Sequence, residues 1–191
     1  MPPATAVSAS ELDRLRAIWP LIQKHAATYQ HAPALVAAIV LRETLAYNVI
    51  GDKGHGHGLM QVDDSRSRET GLPRDDEAFS WCGRWRAAGK HVRDVKIGAA
   101  SFPLYVGNEE MGIERGCLVL AKKFAFVRAL KMKKPLSADT ILSAAIASYN
   151  TGEGNVRNSL KAGKHPDTTT TGGDYSRAVL ARVPTIEAAF T

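Results

Sequence analysis

Cysteine is scarce in this 191-residue chain: Cys82 and Cys117 are the only two, with no Cys-x-x-Cys spacing between them. That excludes a disulfide framework, and free thiols are expected. Long apolar runs are missing as well. The longest near the start, Ala34 to Leu41, ends far short of the roughly 18 to 20 residues that cross a bilayer, so no membrane span is expected. Before Glu11 there is no Lys or Arg and no sustained apolar segment, so the parts of a secretory signal are absent. Export is expected either by another route or after removal of a leader. Metal-ligand spacing is absent too. The glycines around His55-Gly56-His57 leave the two rings poorly oriented, and no nearby pair completes a ligand set, so neither a metal nor a cofactor is expected. The Gly54-x-Gly56-x-Gly58 run follows a helical stretch and lacks a Lys-Ser/Thr ending, which excludes a phosphate loop. No motif supports a Ser/His nucleophile pair.

What remains is the composition of an ordinary globular protein, 45% hydrophobic and 23% charged, of a length that suits one domain. The chain carries a net charge of +6 with a pI near 9.4. Such a balance favours an anionic partner, and nucleic acid, an acidic membrane face and the bacterial wall all qualify. The excess is concentrated between Lys122 and Lys164, where nine Lys and Arg side chains meet only Asp139 and Glu153. A solvated helix face or a wall-binding surface both account for that.

Periodicity predicts a mainly helical chain with one small sheet. Residues 1–9 read as an N-terminal arm and 10–191 as a single domain. Ser10 and Asp13 predict a helix start, Leu12, Leu15, Ile18, Trp19 and Ile22 form its apolar face, and Pro20 is expected to kink or divide it. Pro33 opens a second helix that is apolar nearly all round through Val40, so it belongs in the interior. Glycines from Gly51 to Gly58 predict a small irregular β-hairpin built from extended pieces around Val49-Ile50 and Leu59–Val62. Residues 65 to about 107 show no clean period and read as an elaboration of the domain. Beyond them, Ile113, Cys117, Leu120, Phe124 and Val127 mark a long helix. Ser137 caps a helix over 138–148, and a short one covers 152–161. Asp174 caps another that Pro184 interrupts, and Thr168 to Gly173 reads as a flexible polar loop.

Arg42 and Glu43 arrive abruptly at the end of the apolar helix. A carboxylate there is partly desolvated, which raises its pKa and suits it to donate a proton near neutrality. The alternative is a solvated Glu43 or one paired with Arg42 or Arg128. Asp52, Asp63 and Asp64 follow within 21 residues. A buried acid facing further carboxylates across a glycine-bordered groove is what glycoside cleavage requires: one group protonates the leaving oxygen, and another activates water or steadies the developing cation.

These residues also carry a resemblance. Glu43 followed by Gly51-Asp52-Lys53-Gly54-His55-Gly56-His57-Gly58-Leu59-Met60-Gln61-Val62-Asp63 is similar to the catalytic segment of goose-type lysozymes and the related lytic transglycosylases. Ala145–Arg157, containing Tyr149-Asn150-Thr151-Gly152, resembles the family's Tyr-Asn-Ala-Gly segment, and Asp174–Val179 resembles its closing helix. The similarity runs over about 30–64 and 109–183. It implies an α+β lysozyme-like fold with the hairpin beside the cleft. It also implies a muramidase that cuts the β-1,4 bond between N-acetylmuramic acid and N-acetylglucosamine with inversion. Glu43 becomes the general acid, and Asp63 and Asp52 become the carboxylates that direct water. Gln61, His57, Tyr149, Asn150 and Tyr175 fall at the substrate cleft. A tyrosine offers a sugar a flat face and a hydroxyl, and an amide grips an N-acetyl group through donor and acceptor.

The chain departs from the pattern twice. The stretch between Glu43 and Asp52 is shorter than in vertebrate members, and residues 65–107 are longer than their counterpart. In that segment Trp81, Trp85 and Phe102 either wall the groove or form a satellite core. The resemblance implies bacterial peptidoglycan strands as partner, and no nucleic acid and a monomer are expected; the missing signal and the basic charge suit a phage-type lysis enzyme that reaches the wall through a separate pore or from outside. The alternatives are a lytic transglycosylase, which leaves anhydro sugar ends, and a non-catalytic binding module.

Overall fold

The computed structural model describes residues 6–63 and 76–191. Asp64, residues 1–5 of the expected arm and residues 65–75 of the expected elaboration lie outside the described residues. Among the described residues the architecture is mainly helical, and the antiparallel strands form two small sheets, one more than expected.

Helix α1 (Ala9–Thr28) starts two residues earlier than expected. Ser8 caps it, with its Oγ accepting from the Glu11 amide while the Glu11 carboxylate accepts from the Ser8 amide at 2.7 Å. This reciprocal pair satisfies two groups that the first turn leaves open, so Ser8 prevails over Ser10. Pro20 does not divide the helix, which continues through it to Thr28. The burial of Leu15, Ile18 and Ile22 on both sides of the proline holds the two halves in line.

Helix α2 (Pro33–Thr44) is the centre of the fold. Every residue from Ala34 to Leu41 is buried, as its apolar circumference predicted. Removing one large side chain here, Ile39 for instance, to alanine is worth about 2–5 kcal/mol. The helix ends on two successive left-handed residues, Leu45 (φ 52°) and Ala46 (φ 61°), which turn the chain out of the core.

Three two-residue strands follow: β1 (Ile50–Gly51), β2 (Gly56–His57) and β3 (Val62–Asp63). The expected hairpin is therefore a three-stranded sheet. The His55-Gly56-His57 stretch, read as part of a loop, supplies the middle strand and pairs both ways, Gly51 with Gly56 and Gly56 with Asp63. The Gln61 side chain lies across this sheet and donates to the carbonyls of Val49 (3.1 Å) and Gly58 (2.9 Å). A Cβ on Gly51 or Gly56 would overlap Gln61 Oε1, so a larger residue at either position displaces the Gln61 side chain from this seat.

The aperiodic segment resolves into helix α3 (Asp76–Ala88) and a hairpin of β4 (Lys90–Ile97) and β5 (Ala100–Val106). Trp81, Trp85 and Cys82 pack with Ile50 and Val62 into a satellite core between α3 and the first sheet. Helix α4 (Glu109–Arg128) buries Ile113, Cys117, Leu120 and Val127, and lies against α5 (Ala138–Thr151). Helix α5 is capped by Ser137 as expected and runs three residues past Ser148. Helix α6 (Glu153–Lys161) follows. The Thr168–Gly173 stretch is ordered into 3-10 turns over Pro166–Thr169 and Thr171–Gly173.

Helices α7 (Tyr175–Leu180) and α8 (Val183–Phe190) close the chain, and Pro184 sits in the first turn of α8, where a missing amide costs nothing. Asp174 flanks α7 without capping it, because its carboxylate accepts from Arg42 instead. Among the described residues no helix is long and apolar enough to cross a membrane. Both cysteines are buried free thiols, and burial pushes Cys117 up to about 12.

Candidate active site

Glu43 occupies the last turn of α2, partly buried, at the floor of a groove of about 410 Å³. Desolvation raises its pKa from 4.5 to about 7, against the opposing pull of the Tyr175 hydroxyl and the Arg42 charge. Tyr175 is buried, and its hydroxyl donates to Glu43 Oε1. Burial and the neighbouring carboxylate hold the phenol well above its usual pKa, so it remains a donor. Arg42 binds Asp174 at 3.2 Å and lies 5.6 Å from the Tyr175 ring centre. Neither Arg42 nor Arg128 forms an ion pair with Glu43 at contact distance.

Asp52, Asp63, Gln61, Tyr149 and Asn150 line the same groove, so the structure brings five further expected residues around Glu43. Asp52 begins the 3-10 turn Asp52–Gly54 on the exposed wall, and Asp63 ends β3. A second compartment of about 280 Å³ shares Gln61, Asp63 and Tyr149 with the first, and its far wall carries Arg115, Lys122 and Lys123 from α4. Arg115 pairs with Glu77 at 2.6 Å and Lys123 with Glu153 at 3.1 Å. Part of the basic stretch therefore lines the groove extension, including the buried Lys123.

The polar ends of two cleft residues serve the protein itself. Tyr149 donates its hydroxyl to the Met60 carbonyl at 2.8 Å, tying α5 to the turn between β2 and β3, and Asn150 Oδ1 accepts from the Thr171 amide at 2.9 Å. His57 departs further from expectation. It is fully buried, with Nδ1 against the His55 carbonyl at 2.8 Å and Nε2 accepting from Arg86 at 2.7 Å. Its place is behind the sheet, where it fastens β2 to α3, because alternation along a two-residue strand turns it away from the groove. Trp81 and Trp85 belong to the satellite core, whereas Phe102 lines the groove.

Five non-glycine residues near the groove hold positive φ angles: Leu45, Ala46, Asp52, Lys53 and Gln61. Each costs on the order of 1–2 kcal/mol. Such strain concentrates at functional sites, where the surrounding packing over-determines the backbone.

Sequence reasoning missed Asp167 and Asn48. Asp167 is fully buried and accepts from the Ser176 amide and hydroxyl, both at 2.8 Å, and from the Arg177 amide at 3.2 Å. It thus caps α7 and sets Tyr175 beside Glu43. Asn48 donates to the Asn108 side chain at 2.7 Å and to the Tyr105 carbonyl at 3.2 Å, anchoring the second hairpin. Asn48 acts across about sixty residues and Asp167 across nine or ten, beyond the span of a local capping pattern, so neither is announced by one. Among the described residues no group of three or more His, Cys, Asp and Glu is placed to hold a metal ion.

No protein-family model matches the chain. It is similar to lysozyme g of Takifugu rubripes, with 30% identity over 155 residues that cover 78% of this chain and 63% of that protein. Lysozyme g of Epinephelus coioides is 30% identical over 158 residues, covering 82% and 67% respectively. Lysozyme g of Struthio camelus is 29% identical over 176 residues, covering 90% and 65%. The chain thus spans somewhat under two thirds of the length of the Takifugu and Struthio relatives.

Proposed function

The chain belongs to the lysozyme g family, and from that premise we propose that it is a peptidoglycan muramidase, a single-domain monomer that hydrolyses the β-1,4 bond between N-acetylmuramic acid and N-acetylglucosamine in the bacterial wall. The observation that carries this reading is Glu43: a groove carboxyl held at a pKa of about 7, with Asp52 and Asp63 lining the same groove.

Glu43 acts as the general acid. A pKa near the working pH keeps a large fraction protonated while leaving the proton transferable. Because Tyr175 donates to Oε1, the proton resides on Oε2 and passes from there to the bridging oxygen as the glycosidic bond breaks. Water attacks the anomeric carbon from the opposite face and loses its proton to Asp63, with Asp52 helping to orient it. That route inverts the anomeric centre. The basic stretch from Lys122 to Lys164 attracts the anionic wall.

The test is Glu43→Gln in a turbidity assay on permeabilised bacteria, with product analysis. The lysis rate falls at least about 100-fold, the usual scale for losing a positioned acid. Wild-type products carry reducing muramic ends, formed first in the α configuration. Near-normal lysis by the variant rejects Glu43 as the acid. Anhydromuramyl ends replace hydrolysis with transglycosylation, and salt-sensitive binding with no cleavage replaces both with a binding module.

A further inference from the structure

We infer that the β4–β5 hairpin adds a sugar-binding subsite to the groove, with the Phe102 ring as its platform; this rests on the muramidase reading and specifies the substrate contact at the outer end of the same groove.

The base of the hairpin is rigidly held. Val49 bridges to Leu104, the Tyr105 amide donates to the Asn48 carbonyl at 2.8 Å, and the Tyr105 ring lies 5.2 Å from that of Trp85. Register then determines what the free end presents. Val95 stands directly opposite Phe102 and Ile97 opposite Ala100, so Val95, Ile97, Phe102 and Leu104 share one face of the ribbon. Val95 on this face is buried, which shows that the face is turned toward the protein.

Ile97 and Phe102 lie further out, only partly buried, and both line the groove that contains Glu43 and Asp52. Phe102 is not part of the satellite core formed around Trp81 and Trp85. Its partly exposed ring faces the groove, and the surface is continuous with the floor where Glu43 sits. A pyranose matches this edge chemically. Its C–H face is apolar and packs on an aromatic ring, while its equatorial hydroxyls reach a carboxylate such as Asp52, which is exposed and lines the same groove. The occupant is the sugar that continues the strand beyond the residues at Glu43.

Binding of N-acetylglucosamine oligomers of increasing length to Glu43→Gln protein, followed by calorimetry, tests this. Affinity rises by a step at the length that reaches the hairpin. Adding Phe102→Ala removes about 3- to 10-fold of that step, the scale of one aromatic contact, and Phe102→Trp restores it. Weakening by the same factor at every length, or no weakening at any length, overturns the subsite, as does the absence of any step. Ile97→Ser, a change at the outer end, lowers the same step by a smaller factor; a step that it leaves intact while Phe102→Ala unfolds the protein also overturns the subsite. Peptidoglycan turnover by the wild-type protein judges the muramidase reading separately. An inactive wild type that shows the Phe102-dependent step overturns that reading and leaves the subsite standing.

Discussion

The Tyr175 hydroxyl donates its hydrogen to Oε1 of Glu43, joining residues 132 positions apart. The contact favours the carboxylate, as does the Arg42 charge, and desolvation outweighs both to bring Glu43 to about 7. Activity that requires protonated Glu43 therefore declines as pH rises through about 7. Tyr175→Phe removes a stabiliser of the charged form, so the basic limb of the pH profile of kcat/KM moves to higher pH. Arg42→Met moves it in the same direction. A limb that stays in place or moves down contradicts the assignment.

Glu43 also costs the fold stability. Its folded pKa of about 7 lies above the ordinary 4.5, so the native state holds a proton that the unfolded chain releases. The cost is absent below the unfolded value, grows as pH rises between the two and is complete above the folded one. Glu43→Gln keeps an acceptor for Tyr175 and removes the ionisable group. The variant is expected to be more stable than wild type by up to about 3 kcal/mol at pH 8, with the gain shrinking toward zero below pH 4.5. Thermal melts at several pH values check this, and a pH-independent difference refutes it.

Asp167 governs the site from beneath. Its carboxylate satisfies two amides and a hydroxyl at the start of the helix that carries Tyr175. Asp167→Ala leaves those donors buried and unpaired, at a cost of about 2–4 kcal/mol. Asp167→Asn keeps one acceptor and costs less. Urea titration measures both. Because Tyr175 shifts with its helix, the alanine variant also raises the basic limb of the pH profile.

Two glycines separate stability from activity. A Cβ on Gly116 would meet Met60 Cβ at 2.6 Å, inside the main core, so Gly116→Ala costs about 1–3 kcal/mol by overpacking. At Gly51 the obstacle is the end of the Gln61 side chain, which can swing aside. Gly51→Ala is thus expected to lower activity more than stability, because the displaced Gln61 gives up its bonds to the Val49 and Gly58 carbonyls beside the groove that contains Glu43. Melting temperature and lysis rate measured on both variants show opposite rankings.

Much of this was legible from local pattern. The interior helix, its terminal Glu43, the capped helix at Ser137 and the long helix marked by Ile113 to Val127 follow from periodicity and capping, which operate over three or four residues. The misplacements are also local. Ser8 displaced Ser10 because Glu11 completes its capping box, and Pro20 stayed within a helix because packing on both sides outweighed one lost hydrogen bond. The segment after Asp63 hid a helix and a hairpin because its aromatics divide between a satellite core and the groove, which breaks any single period.

The sequence by itself determined that a long apolar helix ends in Glu43 at the boundary of the core, and it left desolvated and solvated states of that carboxylate open. Only the tertiary structure decided what that carboxyl touches. The Tyr175 hydroxyl on Glu43, the burial of His57 against Arg86 and the placement of Phe102 in the groove all join segments far apart in the chain. Closing such loops costs entropy that no local pattern records, and the packed core around α2 is what offsets it.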